Sequence, residues 1–310
     1  MKREAQKSRP RGRRPPAGSQ DERPVDTRPY LCIPYWNAPR FPGDESDNGQ
    51  LRPLPNDVIS WDCVGIHPGP YSPGTTLDVT VDVRNSADGN ATAVATVIVY
   101  WADPTVGFAK PTFFGVATVP VDPRGSVATT DTISAVISAG APDHICLLVK
   151  VTNTLDTAGT VCDPVNDRHW AQRNILSVAA SMGSPVTVPF LVANPFEREG
   201  AFVLAWRALD EARVERLALR ERVRPTRARP RAAVLDVRGT ISTERGREGS
   251  LDISLGPRAA QLFHLQLELD SAIGAGEVAA LELSLHPREA SASPVGSLGV
   301  LIRGVTRESE

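Results

Sequence analysis

Asp163, Asp167 and His169 fall within seven residues and offer two carboxylates and an imidazole, donor types that ligate divalent cations. Functional metal sites draw three or four ligands from separate elements, and nothing else in the sequence converges on these. The reading adopted is a turn into a strand, with Trp170 covering a sandwich edge and Gln172, Arg173 and Asn174 fixing that strand and the link after it. Residues 44–49 (DESDNG) space oxygen donors like a calcium loop, but position twelve is Pro55 where a bidentate Glu is needed, which leaves a solvated acidic turn. Gly274, Gly276 and Ala279 fit GxGxxA. A dinucleotide site needs a helix next and an acidic residue about 20 positions on. ALELSLHP reads as a strand, so a hairpin turn is expected. GxSxG, GxxxxGKS/T, HExxH and CxxC do not occur, so hydrolase, phosphate and zinc readings lack their usual anchors. No catalytic residue, metal ligand or cofactor is therefore expected. His144 opens a strand, His264 should face solvent, and the sequon Asn90-Ala91-Thr92 falls at a turn.

The elements that would position any site are strands. In LDVTVDVRN, Leu77, Val79, Val81 and Val83 alternate with polar residues, which puts one face of a strand in a core and the other in water. The pattern recurs at residues 93–101, 145–151 and 263–269. Strands are expected near 58–66, 76–85, 92–101, 112–119, 126–137, 144–153 and 168–179, and again near 186–192, 201–209, 232–237, 251–255, 262–269, 278–285 and 298–305. Gly, Pro, Asn and Asp punctuate most gaps. Residues 211–231 fit neither period and read as a short helix or a long hairpin tip, ended by Pro225 and Pro230. The expected fold is all-β: two tandem immunoglobulin-like antiparallel sandwiches over 58–178 and 179–306, a Pro-rich extended lead-in over 29–57 that packs Tyr35 and Trp36 on the first, and a disordered basic arm over 1–28. VTVDVRNSADGNATAVATVIVYW and VTVPFLVANPFEREGAFVLAW share an order of strand, Asn-led turn, strand and Trp, as two copies of one module would.

Charge is uneven along the 310 residues. Residues 1–20 hold seven Lys or Arg against one Glu, residues 31–190 eight bases against fifteen acids, and residues 191–310 seventeen of each. No apolar run suits a secretory signal or a membrane span, so a cytoplasmic location is the default and an extracellular one needs a non-standard export route. Cys32, Cys63, Cys146 and Cys162 would then be reduced, while three disulfide pairings stay open to an exported chain. The basic arm would attract anionic surfaces, but without interleaved aromatics sequence-specific nucleic-acid recognition is not expected.

The carriers VDVRNSADGNATA, VIVYWADP, HICLLVKV and NDRHWAQRN make residues 56–178 resemble the bacterial cell-adhesion-related (CARDB) immunoglobulin-like domains. The ending at residues 166–174, similar to NNxAQRN, is the most distinctive. That resemblance implies a non-catalytic spacer, adhesion or binding module with a protein partner, its oligomeric state open. Contacts would come through loops or strand edges, with Trp36, Trp101, Asp103, Phe108 and Trp170 as contact residues. The rival is a loop-based carbohydrate- or metal-dependent binder or hydrolase accessory module, gathering Asp103, Asp163, Asp167 and His169.

Overall fold

A computed structural model describes residues 28–37, 46–175, 177–180, 182–238, 240, 243–289 and 293–304. Among them nineteen strands and one helix form four sheets, so the fold is all-β. In the first sandwich β1 (Leu31–Cys32) and β2 (Ile66–Pro68) pair with one side of β3 (Thr76–Asn85). β7 (Ser126–Thr129) and β8 (Ile133–Val136) pair with its other side. The facing sheet runs β10 (Trp170–Ile175), β9 (Ile145–Thr152), β4 (Ala93–Ala102), β6 (Thr112–Val121), antiparallel throughout. Leu77, Val79, Val81 and Val83 are buried in one core with Val97, Val99, Leu147 and Val149, as the alternation requires.

The second sandwich repeats this topology. β12 (Val186–Ala193) pairs with β17 (Ala260–Leu269) as β3 pairs with β7 and β8. β13 (Gly200–Ala208) lies between β16 (Glu248–Leu255) and β18 (Glu277–Pro287), as β4 lies between β6 and β9. β19 (Gly296–Gly304) flanks β18 as β10 flanks β9. The corner from one sheet to the other is also built alike. Asn85 and Asn194 are fully buried, and each side-chain oxygen accepts from the N–H two residues on, Ala87 at 3.2 Å and Phe196 at 2.9 Å. Their amides donate to carbonyls at the end of the edge strand of the facing sheet, Val121 of β6 at 3.3 Å, and Leu255 of β16 at 3.3 Å with Gly256 at 2.9 Å. A buried amide bonded through both its oxygen and its nitrogen fixes where the chain must turn.

Several expected elements differ. Residues 58–65 form turns rather than a strand, because Trp61 leaves the first sandwich to pack on the second. The strand expected over 126–137 breaks at Thr130, whose N–H donates to Val81 O and whose hydroxyl accepts from Val81 N. The strand expected over 168–179 ends at Ile175, and β11 (Ser177–Ala180) joins the second sandwich. Gly274 and Gly276 do not close a hairpin, since β17 and β18 lie in different sheets. Residues 211–231 resolve into helix α1 (Glu211–Arg220), then β14 (Arg224–Pro225) and the start of β15 (Pro230–Leu235). Asp210 caps α1 by accepting from Arg213 N at 2.9 Å, and Val214, Leu217 and Ala218 form its buried stripe while Leu219 points out. The helix period was obscured because that stripe is so narrow.

The sheets are not purely antiparallel, and the parallel pairs tie the halves together. β5 (Thr105–Val106), in the loop after β4, adds to the edge of β12, and β11 pairs with β19. One core holds Phe108, Cys146, Leu148 and Trp170 of the first sandwich with Phe190, Phe202, Phe263 and Leu283 of the second. Trp61 sits over Gly299, where a Cβ would come within 2.1 Å of the indole, and against α1. Residues 1–27, most of the basic arm, lie outside the described residues.

Gly107, just after β5, has φ 73°, and a Cβ there would meet Ala193 O at 2.3 Å. Gly107→Ala should cost about 1–3 kcal/mol from the left-handed backbone alone, with the clash in addition. Gly183→Ala, at φ 77° in open space, should cost less. Because the core is shared, denaturant should unfold the chain in one transition whose midpoint G107A lowers. Two separated transitions would contradict the shared core.

Candidate functional site

Of Asp163, Asp167 and His169, the last two stay together and the first separates. His169 is buried at the entry to β10, its Nδ1 2.8 Å from Asp167 and its Nε2 3.1 Å from Asp156. Asp156 also accepts from Leu31 N at 2.7 Å and from the guanidinium of Arg168, which lies 3.8 Å over the Tyr30 ring. Asp163 instead closes its own turn, accepting from the backbone N–H of Asn166 at 3.1 Å and its side-chain amide at 2.9 Å.

A carboxylate on each ring nitrogen asks both nitrogens to donate, which favours the imidazolium. Burial opposes that charge, but the bonds to Asp156 and Asp167 outweigh it and raise the pKa of His169. Burial likewise opposes ionisation of Asp156 and Asp167, and their bonds, led by those to His169, hold both below the ordinary carboxylate value. At Asp163 burial prevails and the pKa is raised. The cluster therefore works as a clamp joining the lead-in at Leu31 to the β9–β10 connection. Among the described residues no three His, Cys, Asp or Glu side chains are arranged to hold a metal ion.

Asp47, expected in a solvated turn, is fully buried instead. It accepts from Tyr35 N and Gly49 N, each at 2.9 Å, and from Arg52 at 3.1 Å. Residues 44 and 45 of that turn lie outside the described residues. Trp36, Phe108 and Trp170 are buried, Trp101 is half-buried and Asp103 is exposed. Trp36 belongs to the first core, and Phe108 and Trp170 to the core spanning both sandwiches, although both also reach the wall of a cleft between the sandwiches. Gln172 fulfils its linking role, donating to Ser297 O at 2.7 Å, and Arg173 lies 3.9 Å from Glu221.

The four cysteines are free and buried. Burial pushes the Cys32 and Cys146 thiols up to about 12 and raises Cys63 and Cys162 as well. Since the thiolate is the nucleophile, none is poised for covalent chemistry. Ser284 and His286, neighbours on one face of β18, come within 2.9 Å, the spacing of a nucleophile–base pair. Glu282, next on that face, is committed to Arg207 at 2.8 Å and Arg213 at 3.6 Å.

A cleft of about 480 Å³ lies on the first sandwich beside Tyr30, Asp156 and Arg168, and further clefts lie where the sandwiches meet. One cleft of about 590 Å³ is lined by Tyr100, Lys110, Lys150, Trp170, Glu197 and Arg258. A second of about 340 Å³, on the other side of the segment 108–111, holds Trp101 and Asp103. A third, about 560 Å³, runs over the outer face of β13 and β18 beside Ser60 and Ser297, whose hydroxyls are 2.6 Å apart. Lys110, Lys150 and Arg258 were not singled out from sequence, because they come from three distant segments.

No family model matches the chain, and no curated protein matches its sequence. Among solved structures it is similar to the CupB6 tip adhesin of Pseudomonas aeruginosa at 10% identity and TM-score 0.24, over 81% of this chain and 96% of that one. It is also similar to a calcium-binding mutant of Bacteroides uniformis beta-glucuronidase 2 at 10% identity and TM-score 0.25, over 75% of this chain and 27% of that one. Overlaps of that quality bear on neither the detailed fold nor the activity.

The clamp makes stability depend on pH. With its pKa raised in the fold, His169 contributes fully below its unfolded value of about 6.5 and loses that contribution as pH rises through the folded value. His169→Gln should cost about 1–3 kcal/mol, because half-buried Asp167 loses its charged partner while Asp156 keeps Arg168. Urea midpoints measured from pH 5 to 9 should fall above pH 6.5 for the parent and change little there for H169Q; parallel curves would refute the imidazolium. A thiol reagent should label none of the four cysteines in the native chain and all four in denaturant.

Proposed function

We propose that the chain is a non-enzymatic binding or adhesion-type protein built from two immunoglobulin-like modules. Its first module, residues 56–178, is read as CARDB-like on the sequence carriers above. Its ligand surface is the concave face where the modules meet. The observation that carries this reading is the core shared through Phe108, Trp170, Phe190 and Phe263, which fixes the clefts beside it in one geometry. A preformed surface binds without the entropic cost of assembling itself from mobile parts.

The candidate reactive groups support binding over turnover. The thiols are buried with raised pKa, and the His169 cluster holds the lead-in in place. The outer strands of sandwiches remain a further place for a protein partner to add a strand.

The test is an array of polysaccharides and extracellular proteins, probed with the full chain and with the chain lacking residues 1–27. Each retained ligand is then assayed for cleavage. Retention that survives loss of the arm, with no turnover, is the expected result. Turnover of a retained ligand, or disappearance of all retention with the arm, would overturn the proposal.

A further inference from the structure

We infer that the 590 Å³ cleft between the sandwiches is a binding site for an acidic saccharide, one whose sugar rings carry carboxylates. The inference rests on the binding reading above and assigns its ligand class. The volume falls within the roughly 300–1,000 Å³ of small-molecule clefts. Its charge runs against its surroundings. Residues 31–190 carry fifteen acids and eight bases, yet the cleft gathers Lys110 and Lys150 from that stretch and Arg258 from the second sandwich, opposed by Glu197. Arg258 Nε is 3.0 Å from Glu197. Among the described residues neither lysine has a carboxylate within ion-pair distance, and the Lys150 ammonium rests 5.5 Å over the Trp170 ring. An ammonium on an aromatic face, half screened from water, is attracted more strongly to an incoming anion than one in bulk solvent.

The apolar half of the site is aromatic. Tyr100 is half-buried, with its ring centroid 5.9 Å from that of Trp170, which also lines the cleft, and 6.3 Å from the exposed Phe113, which does not. That arrangement offers a rigid π surface beside two ammonium groups. A sugar matches both at once, its C–H face against the ring and its carboxylate toward the lysines. The rim favours a saccharide over a peptide. Pro111 and Pro257 have no N–H to offer an added strand, and Ala109 O already accepts from Arg258 Nη1 at 3.3 Å, so recognition falls to side chains. Arg258 is further held in the left-handed region at φ 51°, a conformation that costs a non-glycine residue energy and here carries its guanidinium across to the other sandwich. Two single positive charges in one cleft suit a ligand that bears more than one carboxylate.

The proposal is tested by calorimetric titration of the full chain with oligogalacturonides, their methyl-esterified counterparts and a glutamate-rich peptide of equal charge. Saturable binding of the oligogalacturonides alone is expected, weakened by added salt. Lys110→Gln with Lys150→Met should weaken it about tenfold or more, the scale of one lost charge-assisted hydrogen bond. Lys150→Arg should restore most of it, and a thermal midpoint equal to the parent's would show that the variants fold. Equal binding of the ester or the peptide, no saturable binding, or indifference to the double variant would each overturn the assignment. In those cases retention of other ligands on the array leaves the binding reading standing. Cleavage of a bound oligogalacturonide would overturn that reading and leave the site in place.

Discussion

β9 is dry on both faces, and the rest of the molecule answers to that constraint. Ile145, Leu147 and Val149 point into the first core, while Cys146 and Leu148 point the other way, and all five are fully buried. An antiparallel strand in a lone sandwich keeps one face wet. Here the back of the β9–β10 sheet would expose Leu148 and Trp170 unless a second layer covered it. Burying a large apolar side chain is worth about 1.5–3 kcal/mol, so the patch alone favours docking the second sandwich. β5 and β11, each leaving one sandwich to pair within the other, then supply backbone hydrogen bonds along the seam.

That same strand shows where reading the sequence stops. ICLLVKV, grouped with alternating strands such as LDVTVDVRN, is continuously apolar from Ile145 to Val149, which is the pattern of a strand covered twice. Where alternation was strict, as at residues 77–83, both the strand and its buried face were legible. β5 was not, because two residues in a Pro-Gly-rich loop have no period, and their ladder partner, β12, lies over eighty residues away. Trp61 was overlooked for a similar reason: its pocket is the bare backbone of Gly299, which gives no local signal. The duplication was readable from the Asn-led turns, and Asn85 and Asn194 explain why: each corner needs an amide able to bond on both sides of a buried turn.

The charged groups were legible only in part. His169 and Asp167 were picked out as neighbours in sequence, but Asp156 and Leu31, which decide what the imidazole does, arrive through tertiary structure. The separation of Asp163 follows from turn chemistry, since an Asp that accepts from the N–H three residues on is occupied before it can serve another group. The all-β fold was thus carried by local pattern, whereas the His169 cluster and the seam clefts were carried by convergence of distant segments.

Convergence also separates the two kinds of polar group in this chain. A catalytic group must be reachable and hold a proton near its transfer point. The cluster around His169 offers no free group to a substrate, because its bonds are already made to Asp156, Asp167 and, through Asp156, to Leu31. The lysines at the seam are different in kind. Lys150 is half-exposed and Lys110 exposed, both lie beside aromatic surface, and both stand on a junction that the shared core holds still. Energy spent satisfying charges in the interior yields rigidity, and charges left partly solvated on a rigid seam remain available to a ligand. The double coverage of β9 creates that seam, so one packing requirement both stabilises the fold and sets the geometry of its most receptive surface.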